Sequence, residues 1–248
     1  MGPVILFFSV IVYLVFFAAF LYLIAFIGGD MIPIISLPKT IDAGASPVDG
    51  YPAALVNIGL LLLFGLQHSI MARPGFKKGL TKIVPHAAER SVYVLATVAA
   101  LVLLYALWIP MPEVVWSVDS ALWGGVLTAI FYLGFGLVLL TTFLINHFEL
   151  FGLMQGWLSF KKAAAPAPVF RTPLLYGYVR HPLYLGFILA FWATPYMTAG
   201  HLLFAAVWTV YIFVAIGYEE RDLIGVFGEK YRAYMASVPS ILPFGKRK

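Results

Sequence analysis

Four short polar clusters interrupt an otherwise apolar chain of 248 residues: Gln67-His68, Asn146-His147 with Glu149, Arg180-His181, and Glu219-Glu220. Imidazoles exchange protons near neutral pH. Paired carboxylates hold cations or move protons, and a guanidinium matches a carboxylate in a fork of two hydrogen bonds. Polar residues also simply end apolar helices, yet ionisable groups at membrane depth tend to mark functional sites. No cysteine is present, which excludes disulfides, thiolate nucleophiles and thiolate metal sites. No helix carries an H-x-x-x-H or H-E-x-x-H spacing, and His68, His147 and His181 fall in three different segments, so no metal is expected.

The surroundings of each cluster suggest a use for it. Pro182 suits the first turn of a helix, which puts Arg180 and His181 at a helix N-terminus with free backbone donors and a positive dipole end. A carboxylate would be held there. Tyr184 lies three residues after His181 and four after Arg180, on the same helix face. Gly186 lies beside that face, where a missing side chain admits either a ligand or a neighbouring helix. Glu219 and Glu220 are expected at a helix C-terminus, a poor place for anions. A cation should compensate them: Arg221, a basic residue of the tail, or a cationic cofactor. His86 and His201 are expected to face solvent, and Trp108, Trp116 and Trp123 to sit in interfacial belts.

The elements that must position these residues are membrane helices. Apolar residues make up 62% of the chain and charged ones 11%, far from a soluble domain. Uncharged runs near the ~20 residues that cross a bilayer occur at about 4–27, 53–72, 91–109, 121–145 and 200–217, with a shorter one at 183–198. The fold class is all-α: a polytopic membrane helical bundle of five to six transmembrane helices, with a C-terminal membrane hairpin and an amphipathic cytosolic tail. The first run lacks a basic leader and reads as a retained helix rather than a signal peptide.

The basic residues set an orientation. Loop 28–52 carries only Lys39, loops 110–120 and 195–200 carry none, and loops 73–90 and 146–182 and the tail carry the rest. With six crossings, fifteen of the sixteen basic residues share one face, which the positive-inside rule makes cytoplasmic. Both termini and all four polar clusters then lie at the cytosolic level of an inner, cytoplasmic membrane. The net charge of +5 therefore reports topology and not a nucleic-acid patch. Loop 28–52, with Pro33, Pro38, Pro47, Asp30, Asp42 and Asp49, reads as turns without a packed domain, and Lys161 to Pro168 as a flexible linker. No internal repeat appears, and residues 1–248 are expected to form one integral-membrane domain.

Arg180-His-Pro-Leu-Tyr-Leu-Gly186, Glu219-Glu220, Phe227-Gly-Glu-Lys-Tyr231, Tyr234 and Val238-Pro239 together resemble the C-terminal signature of the isoprenylcysteine carboxyl methyltransferase superfamily. Phe64-Gly-Leu-Gln-His-Ser-Ile-Met-Ala-Arg-Pro74, Glu89-Arg-Ser-Val-Tyr-Val-Leu95 and Asn146-His-Phe-Glu-Leu-Phe-Gly152 resemble its branch of NnrU-like proteins and membrane-bound methanethiol S-methyltransferases. The resemblance implies S-adenosylmethionine as methyl donor, with S-adenosylhomocysteine as product, held in region 176–240. Tyr178, Arg180, His181, Tyr184 and Gly186 would form one wall of its site, and Glu219, Glu220, Tyr231 and Tyr234 the other.

The implied reaction methylates a small volatile thiol, methanethiol to dimethyl sulfide or hydrogen sulfide to methanethiol. A thiol attacks as its thiolate, and simple thiols have pKa values at or above ~8.5. His147, with Gln67, His68 and Asn146 binding the thiol, is the first candidate for activating it; Arg180 or Glu219 is the second. A carboxyl methyltransferase acting on a prenylated cysteine is one alternative, but a carboxylate acceptor needs no base. A non-catalytic NnrU-like membrane protein, with His68 and His147 as haem ligands, is the other. Beyond the thiol and membrane lipid, no protein partner and no nucleic acid is expected.

Overall fold

In hydrocarbon every backbone polar group must be satisfied within the chain, so apolar runs of this length fold as helices. The computed structural model describes residues 1–32, 37–46, 49–167 and 169–244. Pro33, Pro47, Pro168, Lys246, Arg247 and Lys248, which entered the loop and charge readings, lie outside them. Ten α-helices occur among the described residues: α1 Gly2–Gly28, α2 Tyr51–Ala72, α3 Pro74–Leu80, α4 Glu89–Leu107, α5 Ala121–Ile145, α6 His147–Leu150, α7 Leu153–Lys161, α8 Pro182–Trp192, α9 Ala199–Phe227 and α10 Glu229–Ser237. Two short strands, β1 Val114–Ser117 and β2 Tyr196–Thr198, pair with each other. Helices α1, α2, α4, α5 and α9 are long and apolar enough to cross a membrane, so the chain is a polytopic helical membrane protein.

The chain packs as two compact units, where the sequence suggested one domain. Met1–Trp116, Asn146–Pro166 and Tyr196–Phe204 form the first. In it α1, α2 and α4 lie side by side, and α7 rests against the start of α1, where a side chain on Gly156 would fall 2.7 Å from Ser9 Oγ. Ser91 Oγ donates to Ser9 Oγ at 2.8 Å, and Arg90 Nε to Leu150 O at 2.7 Å. These bonds tie α1, α4 and α6 together at one end of the unit.

The other end is more built than the sequence suggested. Ile41 is fully buried and its N–H donates to Phe26 O at 2.9 Å. Trp108 is also fully buried, and its indole donates to Ile41 O at 3.0 Å. It is therefore a core residue and not part of an interfacial belt. His201 is fully buried as well, its N–H donating to Thr198 Oγ1 at 3.1 Å, so it does not face solvent. Thr198 Oγ1 donates to Asp42 Oδ1 at 2.5 Å. Loop 28–52 thus supplies a buried plug at Thr40 and Ile41, because indole and threonine donors near helix ends recruit it.

Helix α8 has 11 residues, about 16 Å against a hydrocarbon core of ~30 Å, so it is shorter than the five candidate spans.

Ser117–Ile145, Ala167–Pro195 and Ala205–Lys248 form the second unit. Helices α5 and α8 cross at two glycines. A Cβ on Gly134 would lie 2.7 Å from Gly186 O, and one on Gly186 would lie 2.7 Å from Gly134 O. On its other side α8 places Tyr184, Leu185, Phe187 and Ile188 against a cluster of Ile212, Ile216 and Ile241. The tail, with Ile241, folds back onto the helices.

Candidate active site

Helix α9 does not stop where its apolar run ends. It continues to Phe227, so Glu219 and Glu220 stand about two turns before its end and outside the reach of the C-terminal dipole. Their compensating cation is not Arg221, whose guanidinium lies 5.7 Å over the Tyr218 ring. It is Arg180, just before α8. Arg180 Nε donates to Glu220 Oε1 at 2.8 Å, and Nη2 lies 2.7 Å from the same oxygen. His181 Nε2 lies 3.0 Å from Glu220 Oε1, and His181 Nδ1 lies 3.9 Å from Glu219 Oε2.

The tail completes this cluster. Arg180 Nη1 donates to Met235 O at 3.2 Å and also to Val238 O. The backbone N–H groups of Arg180 and His181 donate to Pro239 O and Ser240 O, at 2.9 and 3.0 Å. Two backbone donors just before this helix start are thus taken by the tail. Val238-Pro239, part of the signature, is where an ordered tail meets the ion pair.

Glu220 and Arg180 are mostly buried, whereas the Glu219 side chain is 45% exposed and keeps room for a further partner. Around them stand phenols that stay neutral. Burial, with Glu219 and Tyr234 next in effect, pushes Tyr176 far above the usual tyrosine range. Burial, with the two glutamates, does the same to Tyr231. Tyr234 is pushed up to about 12 by burial, and its hydroxyl donates to Tyr176 O at 2.5 Å. Phe170 packs on Tyr231 and Tyr234 at 6.0 and 5.5 Å. Tyr184 lies 5.7 Å from His181, ring to ring, and Tyr178 is 60% exposed. Gly186 faces α5, so of its two readings helix packing is the one the geometry meets.

The other two clusters lie in the first unit. His147 is 3% exposed, its Nε2 lies 2.9 Å from Tyr13 Oη, and the rings of Tyr13 and Phe151 stand edge-on to it at 5.6 and 4.9 Å. Burial lowers the pKa of this imidazole, favouring its basic form. Asn146 caps α6: its Nδ2 donates to Glu149 Oε2 at 2.6 Å, and its Oδ1 accepts from Glu149 N at 3.4 Å. Its role is to start the turn that carries His147. Gly152, at φ +87°, ends that turn, and a Cβ there would fall 2.5 Å from Ser91 Oγ. His68 stacks on Phe64, and the Tyr93 hydroxyl spans its ring edge, 2.8 Å from Nε2 and 3.0 Å from Nδ1. Gln67 Nε2 donates to Met71 Sδ at 3.1 Å, while Gln67 Oε1 is buried without a partner among the described residues. That oxygen is an available acceptor for an S–H or O–H group.

The methanethiol S-methyltransferase of Pseudomonas deceptionensis is 50% identical over 86% of this chain and 81% of its own length. That of Mycobacterium tuberculosis is 49% identical over 95% of this chain and 94% of its own. The chain belongs to the methanethiol S-methyltransferase family. Methanethiol S-methyltransferase 1 of Bradyrhizobium diazoefficiens, 48% identical over 96% of the chain, is a further relative. No family model and no solved structure matches the chain.

Within this family member, residues beyond the polar clusters do part of the positioning. Arg90 and Tyr93, which hold Leu150 and His68, lie inside the Glu89–Leu95 motif and were legible there as a pattern without a role. Tyr13 had no such signal: it is one of many aromatics in an apolar helix.

Proposed function

We propose that this protein transfers a methyl group from S-adenosylmethionine to a small thiol, methanethiol or hydrogen sulfide, at the cytosolic face of the inner membrane. The observation that carries this reading is the cluster of Arg180, His181, Glu219 and Glu220 at the start of α8 in a chain of this family. Two carboxylates meet one guanidinium there. One negative charge is left over, on the half-exposed Glu219, which suits an ammonium or sulfonium. The neutral phenols offer hydrogen bonds and aromatic faces to a nucleoside. The residues present therefore fit the donor.

When bound, S-adenosylmethionine supplies a methyl group on a positively charged sulfur. Glu219 and His181 would hold its charged end, with Tyr178, Tyr184, Tyr231 and Tyr234 around it. Arg180 and Glu220 act as the frame, since both are already paired. Their contribution is to keep the tail and the start of α8 in one arrangement, so that the donor-binding groups are set before binding.

The thiol must lose a proton. At pH 7 each unit by which its pKa exceeds the pH costs about 1.4 kcal/mol, so a base near the sulfur recovers several-fold to many-fold in rate. His147 is that base in this reading, buried and held by burial in its neutral, proton-accepting form, with the Gln67 acceptor and His68 as thiol-binding groups. The bilayer itself delivers an apolar acceptor of this size. The basic residues concentrated in loops 73–90 and 146–182 and in the tail support a cytosolic placement of both termini.

Calorimetric titration with S-adenosylhomocysteine tests the donor assignment. Glu219→Gln and His181→Ala should each weaken binding by about tenfold or more, the loss of one charge-assisted contact. Unchanged affinity in both variants contradicts it.

A further inference from the structure

We propose that residues 169–178 form a strap over the donor-binding cluster, latched by Phe170, that lifts to admit S-adenosylmethionine and to release its product. This rests on the reading of the cluster as the donor site, and every group concerned belongs to the second packed unit. Of the side chains assigned to the donor, His181 and Tyr231 are 4% and 2% exposed. A ligand touches them only after something that covers them has moved.

The strap is built around a short turn. After Pro173 the chain makes one turn of 3-10 helix over Leu174–Gly177, with Tyr176 N donating to Pro173 O and Tyr178 N and Val179 N to Leu175 O, each at 3.0 Å. The turn opens on Leu174, which has φ +43° and is 71% exposed. Leucine disfavours that region of backbone space, and such strain collects at clamps and switches. The bent form therefore needs outside holds. One is Phe170, whose ring lies 5.3, 6.0 and 5.5 Å from those of Phe227, Tyr231 and Tyr234, across the end of α9 and α10. The other is the Tyr234 hydroxyl, which donates to Tyr176 O at 2.5 Å. Tyr176 in turn stands close enough to Glu219 for that carboxylate to act, after burial, on its phenol. The strap thus covers Tyr231 at one end and borders Glu219 at the other.

The tail closes the opposite side of the cluster by stronger bonds. The Arg180 guanidinium donates to Met235 O and Val238 O, and the Arg180 and His181 N–H groups to Pro239 O and Ser240 O. Hydrogen bonds from an ionised donor are about twice as strong as neutral ones. The strap, held by ring contacts and a neutral hydrogen bond, is the side that yields, and the tail is the frame it closes against. Once shut over the donor, it keeps bulk water from the transferring methyl group.

Arg171 is exposed and lies between the latch and the turn, so trypsin reads the strap directly, while exposed Lys162 in the preceding linker serves as internal control. The test is the rate of each cut on purified protein in nanodiscs, with and without S-adenosylhomocysteine, together with the association and dissociation rates of S-adenosylhomocysteine in wild type and Phe170→Ala. The ligand should slow the cut after Arg171 and leave the cut after Lys162 unchanged. Phe170→Ala should speed the Arg171 cut in the absence of ligand and raise association and dissociation alike by about tenfold, the loss of the latch contacts, so that affinity moves little. A residue that merely lined the site would raise dissociation alone. Binding of S-adenosylhomocysteine without protection at Arg171 overturns the strap, as does a rise in dissociation alone; the first of these needs no variant to fold. If wild type binds no S-adenosylhomocysteine, the donor assignment fails and the strap fails with it.

Discussion

Asp42 shows how much one residue in a connecting loop can carry. Burial, partly opposed by the hydrogen bond from Thr198, raises its pKa from an ordinary 3.8 to about 6. A carboxyl whose folded pKa is raised contributes stability that is fully present below the ordinary value and lost as pH rises through about 6. Thermal unfolding in detergent should therefore show a higher midpoint at pH 5 than at pH 7.5. Asp42→Asn, which keeps the acceptor for Thr198, should remove that dependence and add about 1 kcal/mol at pH 7.5. A wild-type midpoint that rises between pH 5 and 7.5 would contradict the assignment. Nothing in the local sequence signals this, because the burial of Asp42 depends on Thr198, 156 residues away. The same is true of Trp108 and His201, which local sequence places at an exposed helix end and the folded loop covers. A cation at Glu219 and Glu220 was expected from a helix C-terminus that α9, running on to Phe227, does not place there. That Arg180 supplies it was not, since the pairing spans 40 positions.

Among the elements, α8 has the most demanding position: α5 touches it on one side, α9 and the tail on the other. Its crossing with α5 leaves no room for side chains at Gly134 and Gly186, where close backbone approach is the source of helix association in lipid. Gly186→Val should lower the yield of folded protein and its thermal midpoint, since overpacking costs about 1–3 kcal/mol. The fraction that does fold should bind S-adenosylhomocysteine nearly as wild type does. A normal midpoint with lost binding would return Gly186 to the donor site. Element ends followed sequence closely where apolar runs stop at loops, as at Ala72 and Ile145. They departed where packing overrides composition. Helix α9 runs ten residues past its apolar stretch because Arg180 and His181 pair with its glutamates, and α8 stops at Trp192 where an apolar run to 198 had been read as one segment.

At the scale of the whole molecule, five helices long and apolar enough to cross a membrane account for most of the apolar runs. What sequence could not supply is the pairing inside each packed unit: an ion-pair cluster held by the tail in one, and an imidazole beside a tyrosine hydroxyl in the other. The central claim is thiol methylation with S-adenosylmethionine. Its most direct test is headspace gas chromatography over purified protein in lipid nanodiscs, given S-adenosylmethionine with methanethiol, with hydrogen sulfide, or with a prenylcysteine analogue as acceptor. Dimethyl sulfide from methanethiol, dependent on S-adenosylmethionine and lost in His147→Ala, is the predicted result. No dimethyl sulfide, with a methyl ester formed on the prenylcysteine analogue, would contradict it.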